Sequence, residues 1–324
     1  MRFDSNASSF AINFTLTLPY VEYETPMDID GTSGFDLYAR DTKRSAWLFV
    51  GNCLGAFEQA HGNQTVLCHI GSARGGNNTK FSTTRPLDVH YLLYLPLYNG
   101  VSQLSIGHSN ADGGVVTPGA GTALDKEQPP IVWFGTSITQ GGAASRPGAQ
   151  WLNGLSRSLG RPVINYGFAG PGQMQLSVAK YIVQITPPPA AVVIDCLPDM
   201  NAAMVAAATV PLVTYLRAHG LAKVPIVLVE GTNYTNQWLI PSTGPGVPAT
   251  WEQPAKRATL RAEYEKLIAA GDANLHYVDG SQLLGQDSSD LESPLVMGVH
   301  PSDLGEERLR DFWVRQLPLL LGGA

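Results

Sequence analysis

Residues 131–142 read IVWFGTSITQGG, and this stretch decides the fold of the chain around it. Its first five residues form a short buried run that is typical of a strand in a parallel sheet. Ser137 comes two residues later, and the stretch closes on Gly141 and Gly142. Glycines permit a tight turn, and the N–H groups at the start of a helix can hold an anion. The pattern therefore makes Ser137 a candidate nucleophile, although a serine that merely caps a helix would look the same.

The remainder of the C-terminal part alternates short apolar runs with longer helical patterns. The apolar runs are PVINYG (162–167), AVVIDC (191–196), PIVLVE (225–230) and LHYVD (275–279), and helices fit at about 149–159, 173–184, 200–219, 254–270 and 303–319. This alternation predicts a parallel sheet with helices on both faces. Such sheets carry their chemistry in the loops after the strands. Asp303, with Glu306 three residues later, is predicted to cap the last helix.

The N-terminal part has the rhythm of an all-β domain. Apolar and polar residues alternate over 12–18, as in a strand with one buried face. Similar runs are FDLYAR (35–40), AWLFVG (46–51), HYLLYLPLY (90–98) and SQLSIG (102–107). They predict a β-sandwich. Because residues 111–130 are rich in glycine and proline, we expect two domains, 1–125 and 126–324.

Composition narrows the classes of partner. The 324 residues carry a formal net charge of −6, with no basic stripe, so nucleic acid is not an expected partner. The sequence contains no run of 18 apolar residues, so no membrane span is predicted. No Cys/His cluster has zinc-site spacing, so no metal is expected. Cys53 and Cys68 could pair within one domain.

The compartment stays open. Residues 1–9 lack the apolar stretch of a signal peptide, which leaves either a cytoplasmic protein or one whose signal has been removed. Five Asn-x-Ser/Thr sequons hint at secretion, but a threonine-rich soluble chain would also contain them. The sequence does not predict an oligomeric state.

Four motifs, each near a strand end, resemble the conserved blocks of SGNH (GDSL-like) hydrolases. GTSIT (135–139) resembles the block with the nucleophile, and NYGFAGPG (165–172) the block whose glycine binds the oxyanion. DCLPDMN (195–201) stands where a G-x-N-D block is expected, and GVHPSDLG (298–305) resembles the block with the histidine. GFDLYAR (34–40) further resembles the G-x-D-L-Y motif of a subfamily with a β-sandwich before its hydrolase domain. The resemblance implies a flavodoxin-like three-layer α/β domain after an all-β sandwich.

The resemblance also implies a serine esterase without a cofactor. Ser137 would attack the ester carbonyl and His300 would act as general base. The N–H groups of Ser137 and Gly170 would bind the oxyanion, with Asp199 at the third oxyanion position. Relatives of this type often act on acetylated carbohydrates, so a small-molecule or glycan ester is the implied substrate. The alternative is a catalytically impaired protein that binds carbohydrate on a hydrolase scaffold.

The histidine block departs from the family pattern. The family usually has aspartate three residues before the histidine, to orient it, and this chain has Met297. A thioether cannot accept the imidazole N–H. A backbone carbonyl can orient His300 in a Ser–His dyad, a carboxylate of the insert 286–295 can substitute, or the protein is impaired. The candidate acids of the insert are Asp287, Asp290 and Glu292.

The third block departs as well. Asp199 aligns with an asparagine whose amide donates to the oxyanion, and an ionised aspartate would repel that charge. Asp199 could donate only if protonated, or Asn201 could replace it if the loop shifts. Asp199 is also well suited to cap the next helix, which is compatible with a place near the site.

Aromatic residues in a long loop suggest a substrate surface. The segment 232–254 exceeds an ordinary strand–helix connection and contains Tyr234, Trp238 and Trp251. These rings could stack on a sugar or line an acyl pocket, or simply pin the loop. Arg146, shortly after the nucleophile, is a further candidate for substrate binding, with a solvated surface arginine as the alternative.

Overall fold

The computed structural model describes residues 1–7, 10–18, 27–41, 46–53, 65–70, 89–108, 114–119, 128–235, 252–284 and 293–322. The chain divides into two compact units. Unit 1 comprises residues 1–127 and 143–153, and unit 2 comprises residues 128–142 and 154–324. The chain therefore returns to unit 1 at residues 143–153, after the segment that carries Ser137.

Unit 1 contains two antiparallel sheets. Its described strands are β1 (Arg2–Ser5), β2 (Phe10–Leu16), β3 (Asp36–Arg40), β4 (Leu48–Asn52), β5 (Thr65–Ile70), β6 (His90–Tyr94), β7 (Val101–His108) and β8 (Val116–Pro118). A short helix, α1 (Ile29–Ser33), precedes β3. One sheet has the order β4-β3-β6-β1-β8 and the other the order β5-β2-β7. Every strand pair in both sheets is antiparallel.

The core of unit 1 lies between these sheets. Alternate residues of β2 are buried and pack with apolar residues of the other sheet. The Phe14 ring lies 4.3 Å from that of Phe35, and the Phe10 ring lies 4.9 Å from that of Tyr91. The alternation predicted for this strand is confirmed, but β2 ends at Leu16 and Leu18 is exposed. The unit is the predicted β-sandwich.

Unit 2 is built on a five-stranded parallel sheet. Its strands are β9 (Ile131–Gly135), β10 (Val163–Gly167), β11 (Ala191–Asp195), β12 (Ile226–Val229) and β13 (Leu275–Val278). The order is β10-β9-β11-β12-β13, which is the 2-1-3-4-5 order of a flavodoxin-like sheet. The α/β fold predicted from the sequence is confirmed. β9 and β11 are wholly buried because both sheet faces are covered.

Helices follow most of these strands. They are α2 (Ser137–Gln140), α3 (Trp151–Leu159), α4 (Leu176–Ile182), α5 (Ala202–Ala218), α6 (Gln253–Ala269) and α7 (Asp303–Leu320). A two-stranded hairpin, β14 (Leu295–Val296) with β15 (His300–Pro301), precedes α7. No helix among the described residues is long and apolar enough to cross a bilayer.

The cap of α7 differs from the prediction. Ser302, not Asp303, is the N-cap, and its hydroxyl accepts a hydrogen bond from the N–H of Gly305 at 3.4 Å. Ser302 has the extended backbone of a cap residue, whereas Asp303 is already the first residue of the helix. The prediction of Asp303 as the cap was therefore wrong by one residue.

The described cysteines fall into two states. Cys53 is disulfide-bonded, and Cys196 is a buried free thiol. The side chain of Cys68 lies outside the described residues.

Candidate active site

Ser137 begins a short helix at the carboxyl end of a central strand. It is the first residue of α2, directly after β9, and its side chain is buried. Thr136 caps the helix by accepting a hydrogen bond from the N–H of Ile138 at 3.3 Å. Gly141 ends it in the left-handed region, at φ 109°, and donates its N–H to the carbonyl of Ser137 at 2.9 Å. The tight turn predicted from the glycines is thus present at Gly141.

The loop after β10 packs directly on the backbone of this turn. A Cβ added to Gly172 would overlap the carbonyl oxygen of Gly135, and one added to Gly167 would overlap the backbone nitrogen of Gln140. The side chain of Gln140 also accepts a hydrogen bond from the N–H of Ala169 at 2.9 Å. The two glycine contacts are backbone to backbone, so the turn that carries Ser137 packs tightly against the loop after β10.

His300 lies within hydrogen-bond distance of Ser137. Its Nε2 is 2.9 Å from the Oγ of Ser137, although 163 residues separate them. His300 is the first residue of β15 and pairs with Val296 of β14. After β15, Ser302 donates its N–H to the carbonyl of Pro294 at 2.8 Å and caps α7. The hairpin and the helix start therefore hold the backbone on both sides of the imidazole.

Met297 lies in the turn of this hairpin. Its backbone is left-handed, at φ 52°, and its side chain is 66% exposed. The next residue, Gly298, is also left-handed, at φ 76°, and its carbonyl accepts a hydrogen bond from the N–H of Thr235 at 3.0 Å. Asp287, Asp290 and Glu292 lie outside the described residues. The choice between a dyad and a substitute acid thus stays a prediction.

The loops after β10 and β11 are tied together by one side chain. Gly170 is exposed and left-handed, at φ 82°. The amide nitrogen of Gln173 donates to the carbonyl of Gly170 at 3.3 Å and to that of Asp199 at 3.2 Å. The two residues predicted on the oxyanion side are therefore neighbours in the structure. Gln173 was not predicted, because nothing in its sequence surroundings marks it.

Asp199 ends a 3₁₀ turn, Leu197–Asp199, between β11 and α5. It does not cap α5. The cap is Asn201, whose side-chain oxygen accepts the N–H of Met204 at 2.9 Å. Two residues separate Asp199 from the helix start, so the capping interpretation of Asp199 was wrong. Capping also engages the Asn201 side chain that was considered as a substitute donor.

Asp195 is a buried acid that contacts α2, the helix that begins at Ser137. It ends β11, and its carboxylate accepts a hydrogen bond from the hydroxyl of Thr139 at 3.5 Å. Burial, with a smaller contribution from the charge of Asp199, raises the pKa of Asp195 to about 7. The sequence marked this residue only as part of the third block.

Lys256 is a buried lysine behind the third block. It lies in the first turn of α6, its side chain is wholly buried, and its Nζ donates to the carbonyls of Leu197 at 3.0 Å and Pro198 at 3.4 Å. The Nζ also lies 5.8 Å from the ring centre of Tyr234. Burial lowers the pKa of Lys256 to about 7. Sequence reasoning missed this residue because one lysine in an amphipathic helix looks like a surface charge.

Two of the residues predicted to bind substrate, Tyr234 and Arg146, are engaged in contacts within the protein. Tyr234 is buried and lacks the exposed face that stacking on a sugar requires. Arg146 belongs to unit 1, where its guanidinium donates to the buried carboxylate of Asp36 at 2.7 Å and to the hydroxyl of Tyr38 at 2.8 Å. It is therefore not a solvated arginine. Trp238 and Trp251 lie outside the described residues.

The G-x-D-L-Y motif explains the return of the chain to unit 1. Asp36 accepts both the guanidinium of Arg146 and the N–H of Gly148, each at 2.7 Å. The Arg146 guanidinium also lies 4.4 Å above the ring of Phe49. These are charge-assisted bonds to a buried carboxylate, which are stronger than neutral ones. They hold the segment 143–153 to the sheet that carries the motif.

Within the described ranges, no three His, Cys, Asp or Glu side chains are grouped so that they could hold a metal ion.

Family models match both parts of the chain. Residues 128–318 match the GDSL-like lipase/acylhydrolase family. The chain belongs to this family. Residues 1–112 match the model of the G-x-D-L-Y N-terminus of SGNH-hydrolase-type esterases. The suspected subfamily is thus confirmed, and the protein is a carboxylic ester hydrolase. None of the curated proteins compared with the chain matches it.

Several solved structures resemble this member of the family over nearly its whole length. One is a protein from Bacteroides ovatus that is described as a GDSL-like lipase. It is 25% identical, with a TM-score of 0.79, and the match covers 99% of this chain and 84% of that protein. The salicylyl-acyltransferase SsfX3 of a tetracycline biosynthetic pathway is 17% identical with a TM-score of 0.73, over 98% and 81%. A family two carbohydrate esterase from Clostridium thermocellum, solved with cellohexaose, is 14% identical with a TM-score of 0.60, over 100% and 92%. The last two show the fold alone.

Proposed function

We propose that the protein hydrolyses a short-chain carboxylic ester through an acyl-enzyme on Ser137, with His300 as general base. The observation that carries this proposal is the 2.9 Å distance between the Oγ of Ser137 and the Nε2 of His300. A nucleophile within hydrogen-bond reach of its base is the arrangement that hydroxyl-based acyl transfer requires.

The reaction takes place in two steps. The Oγ of Ser137 attacks the ester carbonyl carbon while Nε2 of His300 takes the hydroxyl proton. The tetrahedral intermediate collapses, the bond to the alcohol oxygen breaks, and the imidazolium returns the proton to the leaving alcohol. Water then attacks the acyl-enzyme with the same base, which releases the acid and restores Ser137.

The oxyanion is proposed to lie between two loops of the sheet edge. Its donors would be the backbone N–H groups of Ser137 and Gly170. Support comes from Gly170, whose left-handed backbone turns the peptide after β10, and from Gln173, which links this loop to Asp199. The loss of one such donor typically costs about 10²- to 10³-fold in rate. Asp199 borders this region, where its negative charge would repel the oxyanion.

An O-acetylated glycan or small glycoside is the proposed substrate class. The similarity to family two carbohydrate esterases supports this choice at the level of fold. Since Tyr234 is buried and Arg146 is paired with Asp36, neither is proposed as a sugar contact. Trp238 remains a proposed contact of the substrate.

Ester hydrolysis by the purified chain tests the proposal. We expect turnover of p-nitrophenyl acetate that Ser137→Ala lowers by on the order of 10⁶-fold, the loss typical of a removed serine nucleophile. Ser177→Ala is the matched control, since Ser177 is an exposed serine on α4, and it is expected to leave the rate unchanged. Equal rates for the unaltered chain and Ser137→Ala would refute the role of Ser137. Acetate release from acetylated xylan then tests the substrate class.

A second candidate is a binding protein on the same scaffold. Met297, exposed in the hairpin turn where the family has an orienting acid, favours it. This candidate predicts no turnover of any ester together with calorimetrically measurable binding of an acetylated oligosaccharide. Turnover that depends on Ser137 would exclude it.

A further inference from the structure

The third block poses an electrostatic problem that the described residues around it address. Asp199 lies beside the proposed oxyanion region, where a negative charge opposes the charge that forms in the reaction. A carboxylate at this position is tolerable if a cation lies near enough to balance it, since opposite charges attract strongly where water is excluded. The described residues around the turn that carries Asp199 include one buried cation.

That cation is Lys256 on α6. Its side chain is wholly buried, and its Nζ donates to the carbonyls of Leu197 and Pro198, the two residues before Asp199. The same turn is held from its other side by Gln173, which donates to the carbonyl of Asp199. A buried ammonium is costly unless it is paired, so a nearby negative charge would favour the charged form of Lys256.

The groups that face Lys256 identify the counter-charge. The third-block turn contributes the carboxylate of Asp199, which favours the charged form of Lys256. The loop after β12 contributes the ring of Tyr234, whose hydroxyl is neutral because burial raises its pKa. On α6 itself, Arg257 disfavours the charged form. Among the described groups named here, Asp199 is the one whose negative charge acts on Lys256.

We infer that Lys256 is a positioning residue that holds the third-block turn and balances the charge of Asp199 beside the oxyanion. This inference rests on the esterase reaction proposed above. It explains why the chain can carry an acid where relatives have an amide. It also makes the two residues a pair, so that neither can be changed without an effect that depends on the other.

A double-mutant cycle tests the pair. Lys256→Met, which keeps the length and removes the charge, is expected to lower the kcat for p-nitrophenyl acetate about tenfold, a size typical of coupled residues. In an Asp199→Asn background the same change is expected to lower kcat less than about threefold, because no carboxylate is left uncompensated. Equal effects in both backgrounds would overturn the inference. Lys266→Met is the matched control, since Lys266 lies on the same helix with an exposed side chain.

The pH dependence separates charge balance from simple packing. Below pH 7 the ammonium of Lys256 is charged, and above pH 7 it loses its proton because burial lowers its pKa to about 7. The ratio of kcat between the unaltered chain and Lys256→Met should therefore fall as pH rises through 7. His300 is common to both proteins, so its titration cancels. A ratio that does not change with pH would mean that Lys256 only packs.

If no ester is hydrolysed, the proposed function is refuted, but the pairing of Lys256 with Asp199 can still be tested. The measurement is then the Tm as a function of pH. The pKa of Lys256 is near 7 when folded and near 10.5 when unfolded, so the unfolded chain binds more protons between these values. The Tm of the unaltered chain relative to Lys256→Met should rise with pH over this window, and an added Asp199→Asn change should enlarge the rise. A Tm difference that is flat with pH, or unaffected by Asp199→Asn, would overturn the pairing.

Discussion

The two halves of the candidate site are built in different ways. On the nucleophile side, Ser137 follows a central strand and is locked by backbone contacts with the next loop, at Gly167 and Gly172. On the base side, His300 stands in a two-residue strand of a short hairpin, next to a turn with two left-handed residues. The first half is positioned by the parallel sheet, and the second by a local hairpin and a helix start.

This difference shows where the chain tolerates change. On the nucleophile side, Gly135, Gly167 and Gly172 have no room for a side chain. The base side departs from the motif at Met297, whose side chain is exposed and is not confined in the way that the crowded glycines are. Substitution of Met297 should therefore act on the chemistry, and substitution of Gly167 or Gly172 on the fold.

Met297→Asp should have the largest effect. A carboxylate three residues before His300 can orient the imidazole and stabilise its charged form, and the lack of such an acid costs up to about 10⁴-fold in kcat in serine proteases. If His300 lacks an orienting acid, kcat for p-nitrophenyl acetate should rise by up to that factor. Aspartate also tolerates the left-handed backbone of this turn.

Met297→Leu is the matched control, because it keeps an apolar side chain on the same backbone, and its kcat should equal that of the unaltered chain. No gain from Met297→Asp in a chain that is already active would mean that another group orients His300. The acids of the insert, Asp287, Asp290 and Glu292, would then be replaced one at a time.

Gly172→Ala should have the next largest effect, on stability. Its Cβ would overlap the carbonyl oxygen of Gly135, and backbone atoms cannot move aside. Overpacking of this kind costs about 3 kcal/mol in the free energy of unfolding, measured by urea denaturation. Gly160→Ala is the control, since Gly160 has open space around its Cα and only a left-handed φ of 60°. It should cost about 1 kcal/mol. Equal costs would show that the loop can move away from the nucleophile turn.

Asp195→Asn should have the smallest effect, and it should depend on pH. The folded pKa of Asp195 is about 7, above its unfolded value, so the folded chain binds more protons between about pH 4 and 7 and loses stability as pH rises there. Asparagine stays neutral, so this variant should be more stable than the unaltered chain above pH 7, and the difference should grow as pH rises from about 4 to 7. Near pH 4 the two should be equal.

Asp311→Asn, at an exposed position of α7, should show no such difference between the two pH values. An Asp195→Asn protein that is less stable than the unaltered chain at pH 8 would mean that the ionised carboxylate is needed under α2.

Local patterns in the sequence were sufficient for much of the architecture. The strands β9 to β13 and the five longer helices lie within a few residues of their predicted positions, because buried runs and helical periodicity are written into consecutive residues. The helix caps at Asn201 and Ser302 were harder to predict, since neighbouring polar residues can play the same role.

Contacts between residues that are far apart in the sequence could not be predicted from it. Gln173 joins two loops that are separate in sequence, Lys256 lies 57 residues after Asp199, and Arg146 reaches back to Asp36 in unit 1. Each of these side chains belongs to a residue type that is usually exposed, so composition favours a surface position. Their burial depends on which carbonyls and carboxylates the folded chain places beside them.

The sequence by itself determined the order of the elements, the sheet class and the identity of Ser137 and His300 as a pair to be tested, because motifs and periodicity are properties of short segments. The tertiary structure alone decided that their reacting atoms lie 2.9 Å apart, that Tyr234 is buried and Arg146 is paired, and that a buried lysine stands behind Asp199. Distances, burial and charge pairing arise between segments that are far apart along the chain, and only folding brings those segments together.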